Sequence, residues 1–297
     1  MPHRNNEDRV GARHTAATEP PTTPAMDQAA AGGVAPLSFV VPTEFVELPS
    51  KGLFYPEDHP LHMQEHVEIR HMTAKDEDIL TSRTLLKKGV ALDRMLQNVI
   101  VDKRIKLKDL LIGDKNAMLI SARISGYGNM YKTQIDCPAC GEKNVDDFDL
   151  FDADVYDGSD YGDYDIAPTE SGTYLIVLPK TQVQVEVRLL TGNEEAKIVE
   201  QAQQSKKNSR LKKNNKGEKN ATQQFRWTIL AANGDRSKQS ITYLIDNMPA
   251  SDARYLRKAY KAINPTINLM RDFECEECGY ESQLEVPFTT EFFWPKS

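Results

Sequence analysis

Four cysteines, Cys137, Cys140, Cys275 and Cys278, stand in two Cys-x-x-Cys-Gly strings, "CPACG" and "CEECG". Two residues between thiolates let both sulfurs reach one ion across a tight turn, and the glycine that follows permits the backbone conformation beyond it. Together the strings supply four thiolates, the full tetrahedral shell of a zinc ion, leaving no position for water or substrate. The spacing therefore points to one structural zinc ion shared by both strings. Two redox pairs, or metal-free buried thiols, are the alternatives. Redox pairs of the thioredoxin type sit where a strand enters a helix, whereas strand patterns flank both strings here, as in a zinc ribbon.

Other candidate chemistry fails on context. His59, His62, His66 and His71 cluster, and "HMQEH" at 62–66 has the spacing of one metalloprotease string. That chemistry needs both histidines on one helical face, but Pro60 precedes the string and a strand pattern starts at Val67. "GYGNMY" at 126–131 precedes a strand rather than a helix and lacks the last glycine of a dinucleotide fingerprint. Neither a phosphate-cradling Gly-x-x-x-x-Gly-Lys string nor a Gly-x-Ser-x-Gly elbow occurs. No catalytic residue is assigned, and neither an enzyme nor a small-molecule substrate is expected.

The elements that position the cysteines repeat. "VEIRHMTAKDEDIL" at 67–80 aligns without gaps on "VEVRLLTGNEEAKI" at 185–198, with five of 14 positions identical. In each copy a strand runs to a threonine that opens a helix. Thr191 with Glu194 has the capping-box pattern, and Thr73 with Asp76 a weaker version of it. Helices are expected over 90–100 and 114–124, and again near 222–232, 238–247 and 250–263. The strands "MYKTQID" and "INLMRDFE" then run into the two cysteine strings. The strings thus occupy equivalent places in an internal repeat, and one ion would tie the halves together.

The remaining segments are polar. Residues 1–38 read as a disordered tail, and 204–219, with seven Lys/Arg against one Glu, as a mobile loop or frayed helix extension. The stretch 146–165 holds nine Asp but lacks calcium-loop spacing, so 151–170 is read as a solvated linker. Phe288, Phe292, Phe293 and Trp294 crowd the C-terminus, either folding back or serving as a docking anchor. The net charge of −7 argues against a general nucleic-acid coat. With no apolar run of membrane-spanning length and no signal-peptide core, a cytoplasmic start is expected.

"LPSKGLFYP", "MTAKDEDILTSRTLLKKG", "DRMLQNVIVDK", "LLIGDKNAMLISARISGYG" and "CPACG" together resemble the T4-type bacteriophage baseplate hub proteins, the hub subunit or hub assembly protein of contractile-tailed phages. The resemblance is closest over 44–142. It implies a virion or tail-assembly component in the baseplate, present in the host cytoplasm during assembly, with other hub proteins as partners and no known catalytic residues. The tail and the basic insert depart from the family's short members.

The expected protein is α+β, two related α/β repeats joined through a shared four-cysteine, zinc-ribbon-like site. Its parts are a tail over 1–38, a first repeat over 39–150, the acidic linker over 151–170 and a second repeat over 171–297. Its expected work is binding other proteins. A zinc-ribbon nucleic-acid-binding regulator using 204–219 is the rival reading.

Overall fold

The first described strand follows from alternation. In β1 (Thr43–Glu47) Val46 is buried while Thr43, Phe45 and Glu47 face outward, and β2 (His66–Arg70) pairs with it antiparallel, Thr43 opposite Arg70. The structure, a computed structural model, describes residues 40–209, 220–285 and 290–293. The expected tail over 1–38 and residues 210–219 of the basic insert lie outside them.

Thr73 opens α1 (Ala74–Thr81), as its sequence pattern indicates, and α2 (Arg83–Lys88) ends at Gly89 with φ 70°. There Gly89 N–H donates to Leu86 O and Val90 N–H to Leu85 O, satisfying carbonyls that the helix end leaves free. In α3 (Ala91–Val99) Ala91, Met95, Leu96 and Val99 form one buried stripe at helical spacing. The long α4 (Ile112–Tyr127) then leads to the hairpin β3 (Met130–Asp136) and β4 (Lys143–Asp149), which carries the first cysteine string at its turn.

The acidic stretch expected as a solvated linker instead carries β5 (Asp154–Tyr156) and β6 (Ile166–Pro168). Its tyrosines explain the difference: Tyr161 and Tyr164 pack against the core while Asp163 between them stays exposed. Strands β7 (Thr173–Val177) and β8 (Gln184–Arg188) follow, then α5 (Gly192–Ser209) and α6 (Asn220–Thr228). Residues 204–209 of the basic insert therefore continue α5, in line with the helix-extension alternative. The helix expected over 222–232 stops at Thr228, because β9 (Ile229–Ala232) adds to β8 and completes the sheet β6-β7-β8-β9.

Helices α7 (Lys238–Asn247) and α8 (Ala250–Ile263) have the expected bounds. The expected strand over 267–274 is interrupted by buried Leu269. Its first part, β10 (Thr266–Asn268), pairs with β5, and its second, β11 (Met270–Glu274), forms a hairpin with β12 (Glu281–Glu285). The result is α+β, helices with small antiparallel sheets.

Local devices recur in the two halves. β7 meets β8 with Thr173 opposite Arg188, the register of Thr43 and Arg70, and β2 and β8 share one burial pattern. After β1, the turn "LPSK" presents the Ser50 N–H and hydroxyl to buried Asp114 near the start of α4, at 3.0 and 2.6 Å. After β7, "LPKT" presents the Lys180 and Thr181 N–H groups to buried Asp252 near the start of α8, at 3.0 and 2.9 Å. Each carboxylate thereby clasps a strand turn to the N-terminal end of the helix that leads toward a cysteine hairpin.

Candidate metal centre

Each cysteine string is a hairpin turn with the same hydrogen bonds. Cys137 N–H donates to Glu142 O at 2.8 Å and Gly141 N–H to Cys137 O at 2.9 Å; Cys275 N–H donates to Tyr280 O at 3.0 Å and Gly279 N–H to Cys275 O at 2.9 Å. Gly141 and Gly279 have φ of 77° and 65°, left-handed values that a side chain would strain. The β3–β4 and β11–β12 hairpins meet over a small apolar cluster of Phe273, Ile135 and Leu284 around buried Cys137 and Cys275.

At that meeting point all four sulfurs lie within 4.8 Å of one another. The cross-hairpin pairs Cys137–Cys278 and Cys140–Cys275 are each 3.7 Å apart. A zinc–sulfur length of ~2.3 Å gives a tetrahedron whose edge is ~3.8 Å, so the donor set fits such an ion. The four thiols are free, with no disulfide among them.

The electrostatics of the site favour a cation. The Cys278 backbone amide, helped by that of Glu277 and by Asn144, stabilises the Cys275 thiolate and brings its pKa down to about 6, against the burial that would raise it. The Cys140 thiol is pushed up to about 12: the Glu142 amide favours its thiolate, but burial and the neighbouring sulfurs outweigh that help. Four sulfurs crowded within 4.8 Å of one another cannot all ionise together. A divalent cation held by Cys137, Cys140, Cys275 and Cys278 would remove that repulsion and take the place of the thiol protons.

Asn144, on β4, was not singled out by its sequence. Its Nδ2 donates to Glu142 O at 3.2 Å and lies 3.6 Å from Cys275 Sγ, while its Oδ1 accepts the Glu276 N–H at 3.1 Å. It fastens one cysteine turn to the other. The available signal was an asparagine, a poor strand former, inside a strand four residues beyond Cys140.

The histidines go elsewhere. His66 begins β2 and His62 Nδ1 lies 2.7 Å from Tyr55 O, so 62–66 forms no helix on which the two could share a face. The C-terminal aromatics fold back where they are described. Phe292 and Phe293 are buried, and Arg123 of α4 donates to Phe292 O at 2.6 Å, while Phe288 and Trp294 lie outside the described residues. Among the described residues no helix is long and apolar enough to cross a membrane.

Residues 42–294 match the family model of the T4 bacteriophage base plate protein. No curated protein and no solved structure matches the chain. The matched range spans both hairpins, both strand-turn clasps and every described element, and the chain belongs to the T4 bacteriophage base plate protein family.

Proposed function

We propose that the protein is a non-enzymatic hub or hub-assembly component of a contractile-tail baseplate, working by binding other hub proteins. The family match over 42–294 carries this reading. On it, the protein resides in the tail baseplate and, during assembly, in the host cytoplasm. Cys137, Cys140, Cys275 and Cys278 hold one structural zinc ion, which supplies cross-linking charge and no open coordination position. The two halves, 39–150 and 171–297, are related repeats joined by 151–170, a reading supported by the shared strand register, the paired Asp clasps and the matched cysteine turns. The ion then works as a rivet between hairpins from the two halves.

Two measurements test this. Elemental analysis of purified protein should give about one zinc per chain, and Cys140→Ser should lose it. Tails and tail-assembly intermediates should contain the chain. Its absence from both, together with salt-dependent retention on DNA or RNA, would replace the baseplate reading with that of a nucleic-acid-binding regulator.

A further inference from the structure

The two strand pairs β1–β2 and β7–β8 share a register, but their outer edges differ. Leu48 N–H donates to Glu65 O and His71 N–H to Pro42 O, so even-numbered residues of β1 turn their backbone groups toward β2. Thr43, Phe45 and Glu47 must therefore turn theirs away from it. In the other half the equivalent residues are Thr173, Leu175 and Val177, and every one is covered. Thr173 O accepts the Thr169 N–H at 2.9 Å, Leu175 pairs with Ala167 of β6, and Val177 N–H donates to Asp165 O at 3.2 Å. Among the described residues nothing plays this part for β1. Phe45, the counterpart of half-buried Leu175, is 72 % exposed.

A second difference lies on the neighbouring strand. Glu68 stands opposite Phe45, as Glu186 stands opposite Leu175. Glu186 is met by the Arg236 guanidinium, 3.0 Å from each carboxylate oxygen. Among the described residues Glu68 has no cationic partner, and exposed Glu47 adds further negative charge beside it.

We propose that the outer edge of β1 is a docking site for an extended segment of another baseplate protein. The occupant pairs with the backbone of Thr43, Phe45 and Glu47, sets an apolar side chain against Phe45, and brings an Arg or Lys to Glu68. β6, with its sequence Ile166-Ala167-Pro168, shows in the other half what such an edge accepts, and Arg236 shows what the carboxylate accepts. Backbone pairing supplies the affinity and the two side chains the specificity. The inference rests on the baseplate reading above.

The test compares full-length protein, free and in purified tails, by hydrogen exchange over 41–48, and measures the incorporation of Phe45→Asp and Glu68→Lys. Phe151→Asp, at an exposed residue outside this edge, serves as the control. Expected are extra slow amides in the tail-bound protein and incorporation lowered at least ~10-fold by Phe45→Asp. The melting temperature should stay unchanged, and the control should be incorporated normally. Equal exchange in free and tail-bound protein overturns the proposal. Protection already present in dilute free protein means that the chain covers its own edge. Protection that rises with protein concentration means that a second copy does. Either also overturns it. Absence of the wild-type chain from tails and their assembly intermediates overturns the baseplate reading, and this proposal with it.

Discussion

Asp76 is fully buried, yet it is charged, and its donors explain why. The Arg70 guanidinium reaches it at 2.7 and 3.1 Å, the Thr73 N–H and hydroxyl at 2.8 and 2.9 Å, and Asn98 at 2.6 Å. Burial alone would raise its pKa, but these donors hold it at about 2 against an ordinary 3.8. The unfolded chain therefore takes up the proton more readily than the fold. Stability from this group is complete above its ordinary pKa and is lost as pH falls through about 2, a change of ~2 kcal/mol. Asp76→Asn should flatten that acid limb in urea melts and cost ~3 kcal/mol at neutral pH, because Arg70 loses its charge partner. An unchanged acid slope would count against it. The sequence ranked this cap below that of Thr191 and Glu194, but the hydrogen bonds reverse the order: Arg188 lies 3.5 Å from Glu194. The shorter Asp gains from Arg70 and Asn98, and Asn98 is 22 residues away. Asn144 is a similar case, since its role depends on a turn more than a hundred residues distant. Asn144→Ala should weaken zinc binding by ~10–100-fold in a chelator competition with all four cysteines in place. Equal affinity would reduce Asn144 to a fastener of the turns.

Elements were legible where local rules decide them. α7 and α8 keep their expected ends because Ser237 caps the former, accepting the Ser240 N–H, and an apolar stripe of Leu256, Ala259, Tyr260 and Ile263 runs along the latter. β9 was not legible, since Ile229 to Ala232 become a strand only because β8 offers an edge. Strands β5 and β10 are three residues each and pair across more than a hundred residues, a distance over which periodicity says nothing. The convergence of the two cysteine strings was legible because Cys-x-x-Cys spacing is a local pattern, whereas the clasps at Asp114 and Asp252 needed the fold to bring their partners together. The C-terminal aromatics also waited on a distant partner. Arg123, fully buried, donates to Gly128 O, Met130 O and Phe292 O, so it holds the end of α4, the start of β3 and the C-terminal turn at Thr290–Phe293 together. Phe293 is 1 % exposed and lies edge-on to Phe292 and Tyr127. Phe293→Ala should cost ~3–5 kcal/mol in urea unfolding, the range for emptying an aromatic core site. A loss below ~1 kcal/mol would mean that this turn is not integral to the core.

Local devices recur in 39–150 and 171–297, but the molecule does not fold these segments as separable bodies. Leu111 and Thr191 bridge the starts of α4 and α5, with Ile112 N–H donating to Leu190 O at 3.2 Å and Gly192 N–H to Leu110 O at 2.9 Å. Lys115, nearly buried, is held between Asp93 at 2.7 Å and Glu195 at 2.6 Å, one carboxylate from each half. β5 crosses to pair with β10, and one continuous core runs from Val46 to Phe293. Close approach leaves little slack: a Cβ at Gly113 would stand 2.0 Å from Pro265 O, and one at Gly192 would stand 2.7 Å from Leu107 O. A fragment of either half would expose this shared apolar surface and strand Lys115 or its acids, so neither 41–150 nor 171–297 should fold when expressed alone. The whole chain should unfold in one transition. Tryptophan fluorescence, from Trp227 and Trp294 of the second half, and far-UV circular dichroism, which reports both halves, should give coincident urea curves. Gly113→Ala should move both curves to lower urea together, since the strain falls on a joint that both halves use. Two separated transitions, or a fragment with a native-like spectrum, would show that the joint is only a contact between independent domains and that the cysteine rivet holds the halves together by itself.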